Sequence, residues 1–145
     1  MISKALFKVV SVCSLIIGAI IALPTFFPFI RGFSFFALMF CVAPFLIVYL
    51  KRLEVIKSPD MDKLLVVGAI SGVASFLGFS IVFFPTTFLL SLIFKIQSFL
   101  WVKVVFSNFA FLLLIIILMA IVSALTNAFS AFLTAYFYQN FGNRK

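Results

Sequence analysis

Apolar residues fill long runs of this chain, and polar residues fall between the runs instead of alternating within them. Strict alternation would mark half-buried strands, whereas unbroken apolar runs of about 18 residues or more mark helices that cross a bilayer. Four runs reach that length. The pattern therefore predicts an all-α integral membrane bundle of four transmembrane helices, in a single membrane domain over residues 1–145. The expected spans are approximately 9–30, 33–50, 64–84 and 104–125, the last with a helical extension to 138.

Prolines and charges set the expected ends. The first helix is expected to stop near Leu23, because Pro24 and Pro28 follow and the residue before a proline avoids the helical region. Arg31-Gly32 reads as a short turn. Pro44 lies inside the second run, removes one backbone bond and frees the carbonyl of Phe40, so a kink is expected there. The third run stops at Pro85, and the stretch from Thr86 to Lys103 reads as a possible interfacial helix or a kinked extension of the third span. Ser91, Lys95 and Ser98 would lie on one face of it, with Trp101 nearby. Val104 to Tyr138 has neither Gly nor Pro, and a straight helix of that length would span about 52 Å. It must tilt or protrude, with Tyr136 and Tyr138 as interface anchors. Phe33–Leu38 resembles Phe106–Phe111, each following a Pro-Thr break, the trace that a parallel repeat of two hairpins would leave.

Residues 51–63 form the one clearly hydrophilic segment, read as a cytoplasmic loop. Ser58 can cap a helix, Pro59 suits its first position, and Asp60 and Asp62 favour its positive end. With Glu54 these are all the acids of the chain, and capping accounts for them without metal or catalytic chemistry.

Composition agrees with the bilayer reading. The chain is 66% hydrophobic and 10% charged, against about 45–50% and about 25% in soluble domains. Its net charge of +8 does not point to nucleic acid, because the basic residues sit at the ends of apolar runs. Lys4, Lys8, Lys51, Arg52, Lys57, Lys63, Arg144 and Lys145 fall on one side of a four-span topology, and Arg31, Lys95 and Lys103 on the other. The positive-inside rule then puts both termini in the cytoplasm, in a multi-pass cell-membrane protein. Lys4 and Lys8 before an apolar run have the outline of a signal peptide, but no A-x-A site follows, so the run reads as a retained helix. Cys13 and Cys41 fall at different depths and are not expected to form a disulfide. Phe occurs 23 times, which suits a lipid-facing surface and specifies no function.

Each run has a face of small or weakly polar residues. Ser14 and Gly18 lie on the first, Gly68, Gly72, Ser75 and Gly78 on the third, and an alanine row on the fourth. Such faces serve helix packing or association, because close backbone approach and hydrogen bonds must hold helices together in lipid. Ser123, Asn127, Ser130 and Thr134 form an intramembrane polar stripe, with Asn127 expected to hydrogen-bond between helices. No ionisable side chain lies deep in a span, which argues against proton relays and ion coupling. Without histidine there is no Ser-His triad or His metal site, and no phosphate-binding glycine loop occurs. No catalytic, cofactor or metal residues are expected. The sequence thus reads as a non-enzymatic interaction or accessory subunit that binds other membrane helices, its own or another protein's. The alternative is a small oligomeric channel or uncoupled solute or lipid transporter.

Overall fold

A computed structural model describes residues 4–53, 61–94 and 107–141 of the chain. In a bilayer core a backbone polar group has no water to pair with, so each crossing segment must satisfy its own hydrogen bonds as a helix. The described residues are helical throughout their apolar runs, with four helical segments long and apolar enough to cross a membrane.

The first helix, α1 (Lys4–Ala22), ends before a single 3-10 turn at Pro24–Phe26. Pro24 has no amide hydrogen to continue the ladder. Phe27 is extended, at φ −87° and ψ 118°, and turns the chain. The Thr25 hydroxyl donates to the Ile21 carbonyl at 3.0 Å, and Arg31 Nε donates to the Thr25 carbonyl at 3.3 Å. The reversal therefore lies at the two prolines. Arg31 and Gly32, expected as a turn, are inside the next helix, α2 (Pro28–Phe36). Pro28 takes a first helical position, where its missing N–H costs nothing.

Helix α2 runs into a π-helical segment, Ala37–Cys41, and then into α3 (Val42–Arg52). Together they form one crossing rod over Pro28–Arg52. The disturbance expected at Pro44 takes the form of this wider π turn just before the proline.

Helix α4 (Met61–Phe94) is 34 residues long with Pro85 inside it. The expected stop at Pro85 does not occur. An interior proline removes one backbone rung, at a cost of about 3 kcal/mol, and the ladder resumes beyond it as far as Phe94. The Thr87 hydroxyl also donates to the Phe83 carbonyl beside the proline, at 2.6 Å. Residues 86–94 thus belong to α4, while 95–103, the rest of the expected interfacial stretch, lie outside the described residues, as does the expected cap at Ser58-Pro59-Asp60.

Helix α5 (Phe109–Phe141) follows. Asn108 starts it: the Phe111 amide donates to Asn108 Oδ1 at 3.2 Å, and the Leu112 amide to the Asn108 carbonyl at 3.1 Å. Asn is a favoured N-cap for this reason. At 1.5 Å per residue, α4 and α5 each extend about 50 Å, beyond a hydrocarbon core of about 30 Å.

The helices alternate in direction. The start of α1, the end of α3, the start of α4 and the end of α5 meet around Val10, Ile47, Leu50, Leu64, Val67 and Ala135. At this end the Lys51 ammonium lies 3.7 Å above the Tyr138 ring, joining α3 to α5. The opposite end is built from Phe26, Phe35, Phe76, Phe79, Phe83 and Phe84, with Leu112 of α5. Helix α4 is central, with half of its most apolar window buried, against 17% for α5.

Candidate functional site

Between the two apolar clusters lies a belt of buried polar groups, and its centre is Asn127. The residue is fully buried on α5. Its Oδ1 accepts from the Ala43 amide at 3.0 Å, and its Nδ2 donates to the Leu38 carbonyl at 3.1 Å. Leu38 and Ala43 are five residues apart, the spacing of one π-helical rung. The side-chain amide of Asn127 therefore stands between a carbonyl and an amide that would otherwise face each other at the end of the π segment. It replaces one backbone rung with two interhelical bonds.

The same Nδ2 group donates to the Ser123 carbonyl at 3.0 Å and approaches Ser123 Oγ at 3.4 Å. The Ser123 hydroxyl in turn donates to the Gly72 carbonyl of α4 at 2.9 Å, which also accepts from the Ser75 hydroxyl at 3.1 Å. The Ser71 hydroxyl donates to the Gly68 carbonyl at 2.8 Å. One hydrogen-bonded line thus crosses the bundle from α4 through α5 to the α2–α3 rod. In a low-dielectric interior such a fully paired line is strong, and leaving any member unpaired is costly.

Glycines let the helices come close enough for these bonds. A Cβ on Gly72 would run into the Ser123 carbonyl, and one on Gly68 would lie 2.6 Å from the Ala131 Cβ and 2.7 Å from the Asn127 carbonyl. On the other flank of α4, a Cβ on Gly78 would meet the Leu15 carbonyl, and one on Gly18 of α1 the Ser75 carbonyl. The glycine strip of α4 is thereby divided between two neighbours within the same chain, Gly68 and Gly72 against α5 and Gly78 against α1.

The structure places the other sequence-derived positions as follows. Ser14 is fully buried and Ser80 on α4 is buried, and neither hydroxyl has a hydrogen-bond partner among the described residues. Ser130 is buried one turn beyond Asn127, and its carbonyl accepts from the half-buried Thr134 at 2.8 Å. Of the polar stripe on α5, only Ser123 and Asn127 join the interhelical line. Pro44 signals a disturbance in the second run but not its π form, whereas Asn108 at the head of an apolar run is a readable capping signal.

The belt contains no charged or nucleophilic pair. Among the described residues no group of His, Cys, Asp and Glu could hold a metal ion, and Cys13 and Cys41 are both free thiols. The arrangement can hold three helical segments in a fixed register. Comparison with protein-family models, curated proteins and solved structures finds no match for this chain.

Proposed function

We propose that this chain is a non-enzymatic subunit of the cell membrane that associates with the helices of another membrane protein through the outer face of α5, with both termini cytoplasmic. The observation that carries the reading is how unequally α5 is used. Its inward polar side chains are taken up inside the bundle, and its outward side is a continuous apolar surface including Leu114, Ile117, Leu118, Ile121, Leu125 and Phe129. A polar pore lining would need the Ser, Asn and Thr groups on an open face, and Ser123 and Asn127 are fully buried. Two grooves on the bundle are lined almost wholly by apolar side chains, one between α1 and α4 and one beside the π segment. The gathering of Lys4, Lys8, Lys51, Arg52 and Lys63 at one end supports the orientation, since cytoplasmic ends of spans are enriched in basic residues.

Photo-crosslinking groups placed at Ile117 and Leu125, 58% and 67% exposed, test this reading in native membranes. The expected product joins the chain to a different membrane polypeptide in fixed stoichiometry. Crosslinks only to lipid, together with solute flux through liposomes holding the purified protein alone, would replace the subunit reading with a channel.

A further inference from the structure

The groove between α1 and α4 has the dimensions and charge of a lipid site. It is an open cleft of about 500 Å³, walled by Phe7, Ser11, Val12 and Leu15 on α1 and by residues from Ala69 to Leu77 on α4. One end is closed where the helices touch, since Gly78 lies against the Leu15 backbone. The other end, at Phe7, lies at the basic end of the bundle. Each wall covers eight residue steps, or about 12 Å along a helix. One leaflet of a hydrocarbon core is about 15 Å deep. The cleft thus follows most of one leaflet and ends near its headgroup level.

Two exposed cations stand over the open end. Lys4, Phe7, Ser11 and Leu15 fall at three- and four-residue spacing, so they share one face of α1; Lys8 adjoins Ser11 and Val12 by the same spacing. Across the cleft α4 begins with exposed Asp62 and Lys63, which offset each other in sign. Among the described residues the local balance is positive where a lipid phosphate would lie.

We propose that this cleft binds one anionic phospholipid, with an acyl chain along the α1–α4 walls and its phosphate on Lys4 and Lys8. A transmembrane helix would match the apolar walls but would bring no anion to the lysines. Inorganic phosphate would use the lysines and leave the cleft empty.

Native mass spectrometry of the purified full-length chain, loaded with equal phosphatidylglycerol and phosphatidylcholine, tests the assignment. The wild type should retain one phosphatidylglycerol after other lipids are stripped. Lys4→Gln and Lys8→Gln should each lower the preference for phosphatidylglycerol about fivefold without changing elution position. Val12→Trp, at a position half-exposed on the cleft wall, should abolish retention of either lipid. Equal retention of both lipids by the wild type would overturn the proposal. So would undiminished preference in the double lysine variant, displacement of the lipid by inorganic phosphate, or a second polypeptide held in its place.

Discussion

Helix α4 is held in two different ways along its length. From Gly68 to Gly78 it touches its neighbours backbone to backbone, and the contacts exist because side-chain atoms are missing. From Phe76 to Phe84 it is held by rings: Phe79 stacks on Phe83 with centroids 4.9 Å apart and tilts against Phe35 at 5.3 Å, while Phe83 stacks on Phe26 at 5.6 Å. Lipid is as apolar as leucine, so neither region gains from leaving water, and both depend on contact quality. The glycine region gains short interhelical hydrogen bonds. The phenylalanine region gains dispersion over large surfaces and the preferred geometries of ring pairs. The two should therefore respond in opposite ways to a change in volume: the first fails when atoms are added, the second when they are removed.

Adding atoms to the glycine region should have the largest effect. Gly72→Leu places a branched side chain where even a Cβ meets the Ser123 carbonyl, a backbone atom that cannot move aside. Overpacking costs about 1–3 kcal/mol when neighbours can adjust, and here the Ser123–Gly72 hydrogen bond is lost as well. The expected cost is about 3 kcal/mol or more, seen as aggregation or a collapsed melting transition in detergent. An unchanged elution position and Tm would contradict the close approach of α4 and α5.

Removing atoms from the phenylalanine region should come next. Phe79 is 2% exposed and touches three other rings. In soluble cores Phe→Ala costs about 3–5 kcal/mol, part of it from transfer out of water. Lipid removes most of that transfer part, so Phe79→Ala should cost about 2 kcal/mol, mainly the cavity contribution. Phe79→Leu should recover more than half of the loss. If Phe79→Ala proved harmless while Gly72→Leu did not, the aromatic cluster would be lipid-like filling and not a structural contact.

The two regions also differ in how plainly the sequence announces them. The four-helix membrane fold follows from run length and polarity alone, since a bilayer leaves a long apolar segment little choice but a helix. Helix ends were harder to read, because proline carries two meanings. Pro24 and Pro28 do break the chain, with Thr25 and Arg31 holding the turn between them. Pro85 does not: the helix gives up one rung there and continues to Phe94. Gly18, Gly68, Gly72, Gly78 and Asn127 could be singled out as positions, but which helix each would meet depends on rotation about the helix axes, which small-residue spacing leaves open. The π segment has no local signature at all beyond a proline three residues downstream. It is visible only with the amide of Asn127, 84 residues away from Ala43 in the chain, in place.

That pairing sets the smallest effect and the most specific one. Asn127→Leu keeps the volume of the side chain and removes the interhelical amide. The Leu38 carbonyl and the Ala43 amide then lose their partners, yet they stand at the separation of a π-helical rung and can close on each other. Model systems put interhelical hydrogen bonds in lipid at about 0.6–2 kcal/mol, and such closure would keep the cost within that range. Global stability should fall modestly, and the change in hydrogen exchange should be local. The Ala43 amide should exchange faster than in the wild type, while amides around Phe79 keep their protection. A loss as large as that of Gly72→Leu would mean that the rod cannot close its own ladder. Unaltered exchange at Ala43 would mean that Asn127 is not what protects it. Either result would separate the hydrogen-bonded line from the glycine contacts that bring it within reach, and would show which of the two fixes the register of the α2–α3 rod.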